Sequence, residues 1–501
     1  MSIKMRLPLL ALALIIISSS LALASRDREL QQCRQQCRQH SDHGALQECK
    51  RRCEDLFRPR DDYGNEENYS PDEERRCQQQ CESVEGGQER ALCRLRCQKS
   101  MSRDYDPKEE LERDNPYVFD AEEFSSILQS EHGSAKILKS FGFKSDLLWH
   151  LKNYRIAFME INPQTFVTPA HVDSDVILFV AKGRGVAAFI GEEKLDNVKL
   201  TEGDVVVVPS GSVWHFTNTD SNEKFVLIKL IKTVNSPGRV GIFNAQHGKQ
   251  SESYYDLFSE DLLESVFKVG KEKLQQVLGR NHELLVKATR EQIQSLARHE
   301  DTPRIWPFSK ESIETFNLFR RLVHKNNYGQ LFEATPEDVR QLREVDVAVS
   351  FANMTQGTVS GPFFNSRSTK IAFVLDGEGL VEIICPHKSG KFESEGGPII
   401  RNFKSQIRRG SVFVVPAGHP VATVAPRDNL RVICFEINAQ YNTRYQLAGK
   451  RNVFKNLEDT AKELTFGSSV READQLLNKQ NEEFFFPWLR QEQRHQRSDY
   501  A

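Results

Sequence analysis

Sulfur is scarce over most of this 501-residue chain: beyond Cys97 there are two cysteines, Cys385 and Cys434, and three methionines, Met101, Met159 and Met354. A scaffold of several disulfides is therefore confined to the N-terminal fifth. Charge of one sign is lacking too. With 68 basic and 70 acidic residues the net charge is −2, which gives no case for nucleic-acid binding and no strong steering field. Long apolar runs are missing after Ile17, and no later stretch approaches the roughly 18 residues a spanning helix needs. No nucleophile motif with placed partners stands out. Gly183-Arg-Gly185 closes a turn between apolar runs and opens no helix, so dinucleotide binding fails on context.

The N-terminus carries an address. Lys4 and Arg6 precede an apolar run from Leu7 to Ile17, and Ala22-Leu-Ala24 fits a signal-peptidase site. The run is too short for an anchor and is broken by Ser18-Ser-Ser20. Residues 1–24 are therefore expected to be a cleaved signal peptide, leaving a mature chain without a membrane segment in the secretory pathway.

Eight of the ten cysteines lie between Cys33 and Cys97, in two copies of one spacing, Cys-x3-Cys-x11-Cys-x3-Cys. Three intervening residues put both cysteines of a pair on one helix face. Two such helices, antiparallel through a short turn, bring the outer cysteines together and the inner ones together. The expected pairs are Cys33 with Cys53, Cys37 with Cys49, Cys77 with Cys97 and Cys81 with Cys93. A zinc site is the competing reading of the same spacing, and secretion favours disulfides, which replace a core these hairpins are too small to build. Residues 25–100 are thus two helical hairpins. The spacing resembles the α-hairpinin peptides of seeds, some of which inhibit trypsin or act against microbes. No basic residue stands at the tip of either turn, which argues against trypsin inhibition. A charged linker follows at 101–115.

The rest of the chain is a duplication. Gly203-Asp-Val-Val-Val-Val-Pro209-Ser-Gly211 returns 207 residues later as Gly410-Ser-Val-Phe-Val-Val-Pro416-Ala-Gly418. Asp175-Val-Ile-Leu-Phe-Val-Ala-Lys-Gly183 returns as Lys370-Ile-Ala-Phe-Val-Leu-Asp-Gly377. Upstream, the apolar pattern aligns Ile156 with Val347 and Phe158 with Val349, an offset of 191. In each copy short Val-, Ile- and Phe-rich runs come first: Tyr154–Ile161, Asp175–Ala181, Val205–Pro209 and Phe225–Ile231, then Val345–Phe351, Ile371–Leu375, Val412–Pro416 and Leu430–Ile437. Gly, Pro and Asn turns separate them, as in an antiparallel barrel or jelly roll. Helical patterns follow at Tyr254–Leu278 and Glu283–Arg298, and at Leu457–Leu464 and Val470–Lys479. The reading is mainly β: two tandem jelly-roll barrels with helical arms, one at 116–300 and one at 319–490, a linker at 301–318 and a polar tail at 491–501. The broad apolar stripes of the arms suit docking on a neighbouring copy of the chain.

Gly-Asp-x4-Pro-x-Gly after a Gly-x-Gly turn resembles the cupin barrel. Two such barrels with helical arms and a Cys-x3-Cys extension resemble vicilin, the trimeric seed globulin, over about Asn115 to Trp488. The phrases Asp173-Ser-Asp-Val-Ile-Leu-Phe-Val, Gly361-Pro-Phe-Phe-Asn365-Ser and Val415-Pro-Ala-Gly-His-Pro-Val421 carry the likeness. The resemblance implies a homotrimer in the protein storage vacuole that serves as a nitrogen reserve, has no cofactor and catalyses nothing.

Metal-dependent cupins use His, His, Glu and His. Aligned by the motifs, those positions fall on Pro169, His171, Val176 and Trp214 in the first repeat and on Phe363, Asn365, Lys370 and Val421 in the second. Only His171 is a usable ligand, so neither copy carries a preformed first-row metal site. His215 follows the expected ligand by one residue and faces the other way, and His419 lies on a turn. Cys385, His387 and Cys434 form a minor cluster, read as soft metal ligands, two buried thiols or a disulfide. Sequons occur at Asn68 and Asn353. The alternatives to storage are a sugar- or small-molecule-binding bicupin, a metal enzyme using the minor cluster, and a source of defence peptides.

Overall fold

The computed structural model describes residues 115–191, 195–248, 252–279, 283–297, 315–386 and 400–488. The expected signal peptide, both cysteine hairpins, Asn68, His387 and the polar tail lie outside the described residues. No helix among the described residues is long and apolar enough to cross a membrane.

Two barrels occupy residues 115–488, each made of a seven-stranded and a six-stranded antiparallel sheet. In the first barrel the larger sheet runs Thr315–Asn317, Asp204–Val208, Ser174–Lys182, Phe225–Thr233, Tyr154–Ile161, Gly133–Leu138, Phe124–Ser130. In the second it runs Val118–Phe119, Val412–Val415, Thr369–Asp376, Leu430–Ile437, Val347–Met354, Gly329–Ala334, Leu322–Asn326. The order is the same. The edge strands are exchanged: Val118–Phe119 precedes the first barrel in sequence yet pairs with Val412 and Phe413 of the second. Thr315–Asn317 returns the exchange by pairing with Asp204–Val206 of the first. Each barrel therefore needs a strand from beyond its own repeat.

The continuous apolar runs have a physical cause. A strand with both faces covered cannot alternate apolar with polar. In Asp204–Val208, Val206 and Val208 join the interior cluster of the first barrel, while Val205 and Val207 join a second cluster that extends into the other barrel. Along Phe225–Thr233, Leu227 and Ile231 face inward, and Ile228 and Leu230 join that second cluster. Across this seam Phe158 stacks on Phe373 and Phe179 on Phe351, each pair with centroids 6.2 Å apart. These are one contact made twice about a local dyad.

Strand register corrects the upstream repeat. Ile161 faces Gly133 and Met354 faces Gly329, so the offset is 193, and Phe158 corresponds to Phe351. The apolar pattern misses a slip of two residues because two is the period of side-chain facing in a strand. The Gly-x-Gly turns are required sterically: Gly183 and Gly377 have φ of 81° and 86°, and a Cβ on either would strike the carbonyl of Lys224 or Asn429.

The arms also differ from the sequence expectation. The pattern over 254–278 forms three helices, Tyr254–Leu257, Glu260–Phe267 and Lys271–Leu278. Ser259 precedes the second helix as N-cap and Gly270 the third, and Lys268 between them is left-handed at φ 55°. The helix expected from Glu283 starts only at Arg290, because Leu285–Lys287 is a strand that pairs with Thr165–Val167 and covers the barrel edge. Phe485–Pro487 does the same for the second barrel against Thr358–Ser360. Leu263, Leu274 and Ile293 are buried against their own chain, while Leu257, Val266, Val277, Leu464 and Leu476 are each more than half exposed.

Candidate functional site: the two barrel interiors

Two turn hydrogen bonds align the interiors. Gly211 N–H donates to the Val172 carbonyl at 2.8 Å, and Gly418 N–H donates to the Asn365 carbonyl at 2.7 Å. Asn365 therefore corresponds to Val172, one residue past His171. Trp214 faces Ala170 as Val421 faces Phe363. The metal-ligand positions of the first barrel are thus Ala170, Val172, Val176 and Trp214, and the assignment to Pro169 and His171 is corrected. A one-residue slip turns a side chain to the other face, and the irregular register at Trp214/Phe216 hides it. His171 instead stacks on Phe243, centroids 4.9 Å apart at 11°, with Tyr254 at 6.0 Å. His215 is buried against Phe166 at 5.0 Å, and desolvation lowers its pKa.

Inside the first barrel Lys229 stands out among apolar neighbours. It interrupts the apolar run Phe225–Thr233 and faces inward between Leu227 and Ile231. Its cross-strand neighbours are Ala157 and Leu178. Nζ donates to Met159 Sδ at 3.6 Å and lies 5.2 Å from the Trp214 ring centroid and 5.3 Å from that of Phe216. Trp214 is fixed in turn by stacking on Phe189. Desolvation lowers the amine to a pKa of about 8, because apolar walls disfavour the charged form. Lys229 keeps some accessible surface even so.

The second barrel answers differently. Lys370 Nζ lies 2.7 Å from Glu436 Oε1, and Arg444 Nη2 lies 3.0 Å from the same oxygen. Arg444 also bridges to Glu333. Asn365 Nδ2 and Ser368 Oγ donate to Glu436 Oε2 at 3.2 and 3.3 Å, and Ser350 Oγ reaches Oε1 at 3.5 Å. Both cations lie over the Phe363 ring. Burial alone would raise the Glu436 carboxyl, but the charges of Lys370 and Arg444 outweigh it and hold it below the usual carboxylate range. Strand pairing matches Lys370, Glu436 and Cys434 with Val176, Ile231 and Lys229 of the first barrel. Phe363, Asn365, Lys370 and Val421 thus sit where a metal centre would, and their donor set is an amide and an ammonium, which is not that of a transition-metal site. Buried polar atoms remain without a partner here: Asn365 Oδ1, Arg444 Nε and both side-chain polar atoms of Gln446.

The minor cluster divides. Cys385 Sγ lies 2.8 Å from Tyr117 Oη, and burial, followed by that bond, raises the phenol's pKa. His419 packs edge-on to the same ring at 5.9 Å. Cys434 lies apart, across from Ser350 and Ala372 beside the ion network. It is in no disulfide, so the pair with Cys385 does not form. Asn353 is half-buried in mid-sheet between Gln330 and Arg431. Sequence reasoning missed Lys229, Glu436 and Arg444. The first two were visible as charges inside apolar runs. Arg444 had no such signal.

Two jelly rolls in tandem, with apolar or mispaired residues at the metal positions, define a bicupin of the ligand-depleted kind. Comparison agrees: the Cupin family matches residues 148–275 and 316–473. The vicilin Pis v 3.0101 of Pistacia vera is 41% identical over 98% of this chain and 98% of its own. The vicilin-like antimicrobial peptides 2-3 of Macadamia integrifolia are 37% identical over 89% of this chain and 72% of their own. Among solved structures, the vicilin of Corylus avellana superposes with a TM-score of 0.69, at 43% identity over 74% of this chain and 100% of its own. A vicilin of Solanum melongena, whose crystal structure revealed different anionic ligands in structurally similar pockets, superposes at 0.70 with 32% identity over 75% of this chain and 98% of its own. The chain belongs to the vicilin family of seed storage globulins.

Proposed function

We propose that this chain is a non-catalytic nitrogen reserve, assembled as a homotrimer in the protein storage vacuole. The observation that carries the reading is the chemistry at the eight metal positions, where no imidazole or carboxylate stands. Immunoblots through seed maturation and germination test it. The protein should accumulate late and vanish within days of imbibition, and a level that holds through germination would refute the storage role.

Assembly rests on the arms. Leu257, Val266 and Val277 on one, and Leu464 and Leu476 on the other, are exposed, and each arm follows its own barrel in the repeat. Two equivalent apolar ends joined head to tail close into a ring, and six barrels from three chains suit that closure. Light scattering should return three times the chain mass, and a monomer at micromolar concentration would exclude it. The N-terminal region is proposed to lose residues 1–24 and to carry nested disulfide hairpins releasable as defence peptides. The likeness to the Macadamia antimicrobial relatives supports this. Mass mapping without reduction should link Cys33 to Cys53 and Cys37 to Cys49, and Cys77 to Cys97 and Cys81 to Cys93. Glycosylation is proposed at Asn68 before Asn353, whose strand position hinders transfer.

A second reading is favoured by the partnerless polar atoms around Lys370 and Arg444. Buried polar groups without partners are uncommon, and here they suit a small polar or anionic guest, in keeping with the Solanum melongena vicilin. Calorimetry with acetate and benzoate tests this, and no heat with either at millimolar concentration would dismiss it.

A further inference from the structure

Buried lysines in storage and structural proteins are ordinarily paired with carboxylates, as Lys370 is here. Lys229 is the exception inside the barrels. The groups nearest its amine are apolar: Ala157 and Met159 from Tyr154–Ile161, Leu178 from Ser174–Lys182, Trp214 and Phe216 from Val213–Asn218. Arg155, on the same face of Tyr154–Ile161, turns its guanidinium to the Leu138 and Gly238 carbonyls. No carboxylate among the described residues lies within ion-pair distance of Nζ, and no neighbouring charge contributes to its titration. Two aromatic faces and a thioether form the cage, and part of the side chain stays accessible.

We propose that Lys229 is a carbonyl-capturing amine, and that the first barrel takes small apolar aldehydes as reversible imines. The neutral amine's lone pair attacks the carbonyl carbon. A C–N bond forms and one amine proton moves to the carbonyl oxygen, giving a carbinolamine. The C–O bond then breaks. The hydroxyl leaves with the second amine proton as water, and a C=N bond remains. No oxidant or co-reactant enters. The cage supplies what the step needs: Trp214 and Phe216 offer ring faces to the guest, and apolar walls enlarge the unprotonated fraction of the amine. With a pKa of about 8, about a tenth of the amine is neutral at pH 7, roughly 300 times the fraction of an ordinary lysine. Barrel 2 has Cys434 at this position and two fully charged cations beside it, so it offers no equivalent nucleophile. The inference is independent of the storage reading.

The test is reductive trapping. Full-length protein is incubated at pH 7 with benzaldehyde or acetaldehyde and cyanoborohydride, then digested and mapped by mass. The benzyl adduct should appear on Lys229 about tenfold faster than on exposed lysines, with a rate that rises to a plateau through pH 8. Exposed lysines should keep gaining rate toward pH 10. Lys229→Met and Lys229→Arg should both lose the fast phase while the slow surface labelling stays. Native protein that labels its surface lysines and leaves Lys229 unmodified would overturn the proposal, as would a Lys229 rate that keeps climbing to pH 10. Since wild-type protein gives the answer alone, a variant that fails to fold does not spare it.

Discussion

Barrel 1 sets Lys229 among Trp214, Phe216 and Met159, with no ion pair to it among the described residues. Barrel 2 holds Lys370, Arg444, Glu436 and Glu333 in one connected ion network. The strand order is shared, and the positions correspond nearly one for one: Val176 for Lys370, Ile231 for Glu436, Lys229 for Cys434. The fold therefore does not need the network. What it needs is that each interior be self-consistent, either apolar with at most a neutralisable amine or charged with every charge answered.

The sharpest way to break this contrast is to remove one partner. Glu436→Gln leaves Lys370 and Arg444 facing each other in a buried site, and should cost about 3–5 kcal/mol in chemical denaturation. The matching Ile231→Val in barrel 1 should cost only about 0.5–1.5 kcal/mol. Equal losses would mean that the barrels are not built on different principles. Replacing the network wholesale with barrel-1 residues, Lys370→Val, Glu436→Ile, Arg444→Ile and Glu333→Ile together, should be neutral or stabilising by about 1–4 kcal/mol. A large loss there would show that the network is what holds barrel 2.

Assembly gives an intermediate effect. Val266→Asp and Leu476→Asp place charges on arm residues that are 63% and 68% exposed in the single chain. Each should weaken association by about 1–3 kcal/mol, read as a fall in mass on dilution, without a change in protomer stability. Leu263→Asp sharpens the point. Leu263 is 8% exposed in its own chain, so that change should destabilise the protomer itself.

The pH dependence should also split by barrel. Glu436 titrates below its ordinary value in the folded state, so its contribution is full above about pH 4.3, the unfolded value, and fades as pH falls below that. Lys229 titrates below its unfolded value, so the folded chain carries a penalty at pH 7. That penalty lifts as pH rises from about 8 toward 10.4, and stability should rise over that window. Lys229→Met should abolish the alkaline rise and leave the acid limb in place. Above about pH 10.4, where the amine is neutral in both states, the volume-conserving change should cost less than about 1.5 kcal/mol, the smallest effect expected here.

The duplication and the jelly-roll strands were legible because they rest on local phrases: Gly-x5-Pro-x-Gly, Gly-x-Gly and runs of β-branched residues. Tyr154–Ile161 and Leu430–Ile437 were readable to the residue. Exchange of Val118–Phe119 and Thr315–Asn317 was not, because two- and three-residue strands carry no periodicity and their partners lie far away in sequence. The break of Tyr254–Leu278 into three helices was hidden because the apolar stripe continues across Ser259 and Gly270. In the site, His171 seemed inward because a bulge shifts parity by one. Arg444 was invisible because its partners, Glu333 and Glu436, come from strands that only the sheet order brings together.

Metal content tests the central claim most directly. Native protein, purified without chelator, should carry less than about a tenth of an equivalent of iron or manganese per chain, since neither barrel presents an imidazole–carboxylate donor set. One equivalent per chain that survives gel filtration and is lost on Asn365→Ala or Glu436→Gln would contradict it.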